Sequence, residues 1–88
     1  MSAAVHVDGT IDGDRLVLTW SDARSSGSCR FDRVAGTTPE WIGDADELLD
    51  GASRRQEPAV LDAVAAWART QHLELGVWTD GQGVDQLA

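Results

Sequence analysis

The sequence contains no lysine, no asparagine and no tyrosine, and all seven of its basic residues are arginine. This bias is typical of a GC-rich genome or of a salt-adapted proteome, and it indicates no particular chemistry. A single cysteine, Cys29, excludes an internal disulfide and a structural zinc site built on cysteines. Because the net charge is -8, the chain as a whole repels a phosphate backbone, and we expect no direct binding to nucleic acid.

Long hydrophobic runs are also missing from the sequence. No stretch approaches the roughly 18 consecutive apolar residues of a membrane span, so we expect no association with a membrane. Residues 1–5 lack the basic start and the apolar core of a signal peptide. We therefore expect a cytoplasmic protein of a bacterium, an archaeon or an infected host cell. The 88 residues are enough for one domain, and a hydrophobic content of 42% argues against disorder.

The first third of the chain carries the pattern of a β-hairpin. Residues 5–11 and 15–20 alternate apolar with polar side chains, as half-buried strands do. The Asp-Gly dipeptide at 12–13 between them is typical of a two-residue turn, in which both central residues take positive φ. With those two residues as the loop, Val7 lies opposite Leu18, and apolar residues of both strands share one face.

The remaining elements are predicted from the same periodicities. Alternation predicts a third strand over residues 29–33 and a fourth over 73–78. Apolar residues recur every three to four positions over 39–50 and 58–71, which predicts two amphipathic helices. Each of these helices has a proline at its first position, where no amide hydrogen is needed.

The predicted fold class is therefore α+β, with the element order β-β-β-α-α-β. We expect a two-layer sandwich in which both helices pack on one face of an antiparallel four-stranded sheet. Residues 1–79 form this single domain, and residues 80–88 form a flexible C-terminal tail. The other face of the sheet is open to water or to a partner.

Acidic residues are concentrated in the first predicted helix, which carries no base. On that helix they lie opposite the apolar stripe and form an acidic ridge. Those nearest its C-terminal end face the unfavourable end of the helix dipole. Either the ridge is a solvated polar face, or it is a docking surface for a basic partner. The ridge consists of Glu40, Asp44, Asp46, Glu47 and Asp50.

The open face of the sheet offers a second candidate surface, built on His6, Arg30 and Trp78. Trp78 alternates onto this face, whereas the other three tryptophans fall on apolar stripes of the predicted core. Exposed tryptophan is enriched at the energetic centres of interfaces. The competing interpretation is that the tail folds back and covers Trp78.

Catalytic and metal-binding patterns are weak. His6 and Asp8 share a face, but no nucleophile accompanies them, because Cys29 alternates onto the apolar side. The acidic segments at 44–50 and 80–85 lack the ligand spacing of a calcium loop. We therefore predict no enzyme, no metal site and no cofactor.

These observations together predict a small acidic interaction protein. It would bind and inhibit a basic, nucleic-acid-binding protein by presenting carboxylates where phosphates would lie, as an anti-defence inhibitor, an immunity protein or an antitoxin does. One alternative is a module that binds a small ligand or a peptide on the open sheet face. A second alternative is an accessory domain of an enzyme. Unpaired edge strands could also pair between two copies of the chain, so a homo-oligomer remains an alternative.

Overall fold

The computed structural model describes residues 4–79 and 83–87, in which one sheet of six strands is packed against two helices. The strands follow chain order across the sheet, and all neighbours are antiparallel except the parallel pair β4 and β5. The elements are β1 His6–Asp12, β2 Arg15–Ser21, β3 Ser26–Arg33, β4 Trp41–Asp44, α1 Ala45–Leu49, α2 Glu57–Thr70, β5 Leu75–Thr79 and β6 Gly83–Gln86.

The α+β class is confirmed, but the prediction of a four-stranded, wholly antiparallel sheet is wrong. The main error concerns Trp41–Asp44, which form strand β4 rather than the first turns of a helix. This strand pairs with β3 on one side and with β5 on the other. A Cβ atom on Gly43 would lie 2.9 Å from Cδ2 of Phe31, so glycine lets β4 lie close to the core. Strand pairing on both sides outweighs the helical spacing of the apolar residues, because propensity is a weak term beside tertiary packing.

The second additional strand, β6, lies in the segment that we assigned to a flexible tail. Gly83–Gln86 pair with β5, and the amide of Leu87 donates to the carbonyl of Leu75 at 2.7 Å. Leu87 also packs against the hydrophobic core. Residues 80–82 and 88 of the predicted tail lie outside the described residues.

The hairpin of β1 and β2 is confirmed, with its register shifted by two residues. Asp12 pairs with Arg15, so that residues 13–14 form the loop, and Val7 lies opposite Trp20 rather than Leu18. A shift of two positions leaves every side chain on its predicted face, because the period of a strand is two.

Helix α2 forms where its apolar spacing predicts. The side chain of Gln56 accepts a hydrogen bond from the amide of Ser53 at 2.8 Å and so stabilises the turn before the helix. At the other end, His72 has a φ of 57°. The amide of His72 donates to the carbonyl of Arg69, and that of Leu73 donates to Ala68, which is the Schellman pattern of a helix end.

The core lies between the sheet and both helices. The indole N–H of Trp20 donates to the backbone carbonyl of Leu48 at 2.7 Å inside this core, which fixes α1 to β2. The ring of Trp67 on α2 packs over Gly9 of β1. The buried apolar side chains are Leu16, Leu18, Trp20, Cys29, Phe31, Trp41, Leu48, Val60, Val64, Ala68, Leu75 and Val77.

Candidate protein-interaction surface

Four acidic residues lie within the short helix α1 or at its two ends. We call this set the α1 acidic patch; it consists of Asp44, Asp46, Glu47 and Asp50. Asp44 is the N-cap of the helix, and its Oδ1 accepts a hydrogen bond from the amide of Asp46 at 2.9 Å. Asp46 and Glu47 lie in the first turn. Negative charge is favourable there. The unfavourable dipole position predicted for Asp46, Glu47 and Asp50 therefore applies only to Asp50, which is the C-cap of α1.

Glu40 does not belong to this patch. It precedes β4, and its Oε1 lies 2.6 Å from Nε of Arg33. This hydrogen bond raises the pKa of Arg33. The prediction of a single ridge along one helix, with Glu40 as a member, is therefore wrong, because residues 40–44 are not helical.

Among the described residues, no base forms an ion pair with the patch. All ion pairs found within residues 4–79 and 83–87 are made by Arg33, with Glu40 and, at 4.0 Å, with Asp14. The side chains of Asp44, Asp46, Glu47 and Asp50 are all exposed. Exposed carboxylates without an ion-pair partner attract a basic surface over roughly one Debye length, which is 8–10 Å near physiological salt.

Two depressions flank α1, and the patch contributes to both. The first, which we call the serine groove, has a volume of about 540 Å³ and lies between the start of β3 and the end of α1. Its backbone walls approach closely, because Gly51 lies against the carbonyl oxygen of Ser26. It is lined by Ser26, Gly27, Ser28, Asp46, Glu47 and Asp50.

The second depression, which we call the Trp78 groove, lies on the open face of the sheet and has a volume of about 520 Å³. Trp78 on β5 is the register partner of Asp44 on β4, and 57% of its surface is exposed. The described part of the tail therefore leaves Trp78 uncovered. The groove is lined by Arg30, Asp32, Ile42, Asp44, Glu47 and Trp78, among others.

The residues of the second predicted surface are only partly brought together. Arg30 and Trp78 line the same groove, but His6 lies on β1 and lines a separate depression with Thr19 and Ser21. Four inter-strand spacings separate β1 from β5, or about 19 Å at the usual ~4.8 Å per strand. The register also places His6 opposite Ser21. His6 and Trp78 are thus parts of different surfaces.

Cys29 lies beneath the α1 acidic patch rather than on it. Its Sγ is 3.6 Å from the carbonyl oxygen of Asp44 and 3.8 Å from Oε2 of Glu47, and the residue is 1% exposed. Burial, aided by the charge of Glu47, raises the pKa of the thiol to about 12. A neutral buried thiol is a weak nucleophile, so the role of Cys29 is packing between β3 and α1.

The described residues show neither a metal cluster nor a membrane span. Across 4–79 and 83–87, no three or more histidine, cysteine or acidic side chains are arranged to hold an ion. Within the same ranges, no helix has the length and apolarity needed to cross a bilayer.

One signal in the sequence could have located α1 correctly. Asp44 is followed three positions later by Glu47, and an N-cap residue with an acid at this spacing is the signature of a helix N-terminus. Gly43, just before it, disfavours the interior of a helix by about 1 kcal/mol. Both features indicate a helix that begins after residue 44.

Comparison with protein-family models, with curated proteins and with solved structures finds no match to this chain.

Proposed function

We propose that this protein binds a basic protein through the α1 acidic patch and inhibits it by occupying its nucleic-acid-binding surface. The observation that carries the proposal is the set of four exposed carboxylates at one end of the sheet, none of them paired with a base among the described residues. An anti-defence inhibitor, an immunity protein or an antitoxin acts in this way.

The patch is supported by a firm framework. The hydrogen bond from Trp20 to Leu48 holds α1 on the sheet, and the cap formed by Asp44 fixes the first turn. The backbone that carries the patch is therefore ordered before binding, and this preorganisation favours affinity. Complementary charge also accelerates encounter with a basic surface.

A pair of charge-reversal variants tests the proposal. Asp46→Lys/Asp50→Lys reverses two charges in the patch, while Asp12→Lys/Asp62→Lys reverses two exposed charges on β1 and α2, outside it. Both variants change the net charge by the same amount. A difference between their affinities therefore reports the position of the charges in the patch and not the net charge of the protein. Capture from the native host with wild-type protein supplies the basic partner, which is then purified and titrated with each variant.

The expected result is a loss of affinity of more than tenfold for Asp46→Lys/Asp50→Lys, because close charge pairs across an interface couple by about 1.5 kcal/mol or more. The control variant is expected to stay within a few-fold of wild type. In a mobility-shift assay, the wild-type protein should block nucleic-acid binding by the partner. Equal affinity of both variants would contradict the proposal.

A further inference from the structure

We infer that the Trp78 groove receives an arginine side chain of the basic partner, an inference that rests on the proposed function and makes it more specific. Trp78 is exposed over 57% of its surface, whereas Trp20 and Trp41 are buried in the core. An indole ring held on a strand offers a flat, rigid face for stacking. The neighbouring strand places a carboxylate, that of Asp44, directly beside it.

The charge of the groove selects a cation. Its lining includes the carboxylates of Asp32, Asp44 and Glu47 but the guanidinium of Arg30 alone. Arg30 makes no ion pair with any described residue, so its charge is not neutralised locally. The groove is therefore negative overall, while Arg30 opposes a bound cation from one side.

The geometry favours arginine over lysine. A guanidinium can stack its plane on an indole ring and at the same time donate two parallel hydrogen bonds to a carboxylate. The ammonium group of lysine is a more strongly hydrated point charge, and it cannot make the planar, bidentate contact. Oδ1 of Asp44 accepts a hydrogen bond from the amide of Asp46, which orients the carboxylate. Oδ2 of Asp44 makes no hydrogen bond to the described residues.

Two matched peptides test this inference. Acetyl-Gly-Ser-Arg-Ser-Gly-amide and its lysine counterpart are titrated into ¹⁵N-labelled protein at low ionic strength, and the indole N–H resonances are followed. We expect the Trp78 resonance to shift saturably with the arginine peptide and severalfold less with the lysine peptide. The Trp20 resonance, whose N–H is bound to Leu48 inside the core, should not move.

Three variants give the inference distinct signatures. Trp78→Ala should lose the binding of the arginine peptide. Asp44→Asn should weaken it severalfold, since asparagine keeps the helix cap but lacks the charge. Arg30→Gln should tighten it severalfold, because a like charge is removed from the groove. Circular dichroism checks that each variant is folded.

The outcomes separate this inference from the proposed function. Weaker binding of the arginine peptide by Arg30→Gln would show that Arg30 supports the bound peptide instead of opposing its charge. Equal binding of both peptides would remove the selectivity for arginine. Either result overturns the inference. If Trp78→Ala binds the partner protein normally while Asp46→Lys/Asp50→Lys does not, the proposed function holds and the inference fails. If both variants bind the partner normally, the proposed function itself fails.

Discussion

The indole N–H of Trp20 and the carbonyl oxygen of Leu48 are 2.7 Å apart and buried, although 28 positions separate the two residues in the chain. Trp20 lies on β2 and Leu48 on α1. The carbonyl is in the last turn of a five-residue helix, where backbone acceptors have no partner within the helix. The bond therefore fixes the element that carries the α1 acidic patch.

Replacement of Trp20 by phenylalanine should destabilise the protein. The substitution keeps an aromatic ring but leaves the buried carbonyl of Leu48 without its donor, which costs about 1–3 kcal/mol. Urea denaturation measures the change in the free energy of unfolding. Trp78→Phe is the control. Because the ring of Trp78 is exposed, we expect this substitution to change the free energy of unfolding by no more than about 0.5 kcal/mol. Equal losses in both variants would show that the hydrogen bond contributes nothing specific.

The close approach of Trp67 to Gly9 gives a second prediction. A Cβ atom on Gly9 would lie 2.5 Å from Cη2 of Trp67, so Gly9→Ala should destabilise the fold by about 1–3 kcal/mol. In a Trp67→Phe background the same change should cost less, because the smaller ring leaves room for the added methyl group. A double-mutant cycle by thermal denaturation measures this coupling. Strictly additive effects would contradict the packing described for α2 on β1.

His72 is expected to be a site of backbone strain. Its φ of 57° is in the left-handed region, which costs a residue with a Cβ about 1–2 kcal/mol. His72→Gly should therefore raise the free energy of unfolding by roughly 0.5–1 kcal/mol, after the greater freedom of glycine in the unfolded chain is subtracted. His72→Ala retains the strain and should change stability little. A loss of stability in His72→Gly would show that the imidazole has a stabilising role.

Cys29 should make the free energy of unfolding depend on pH in the alkaline range. In the unfolded chain the thiol ionises near its ordinary pKa of 9.0, whereas in the fold its pKa is raised to about 12. The unfolded state therefore loses its proton first. The contribution of the neutral thiol is complete below pH 9 and is lost progressively as the pH rises towards 12. Denaturation across this range should show a decline in wild type that is smaller in Cys29→Ala; equal slopes would contradict the assignment.

Local signals explain which elements could be predicted. The hairpin of β1 and β2 and helix α2 follow from short-range periodicity and turn chemistry. Alternation alone predicts that Trp78 lies on the open face, and it is exposed there. Strand β4 was missed because Trp41 and Ile42 fit a helical spacing, while their strand pairing depends on β3 and β5, which are distant in the chain.

The acidic residues near α1 could be listed from the sequence, but their arrangement could not. Four of the five acidic residues of the predicted ridge do surround α1, whereas Glu40 pairs with Arg33. This pairing depends on the antiparallel register of β3 and β4, which no local pattern reveals. The proximity of Asp44 to Trp78 has the same origin, because it requires the parallel pairing of β4 with β5.

The dependence of partner affinity on salt is the most direct test of the central claim that the charge of the α1 acidic patch drives binding. Kd for the purified basic partner is measured over a series of salt concentrations with wild type, with Asp46→Asn/Asp50→Asn and with the control Asp12→Asn/Asp62→Asn. The account predicts a steep loss of wild-type and control affinity as salt rises, because exposed charges are screened. It predicts a clearly shallower slope and weaker binding at low salt for Asp46→Asn/Asp50→Asn. The same slope and affinity in all three proteins would contradict it.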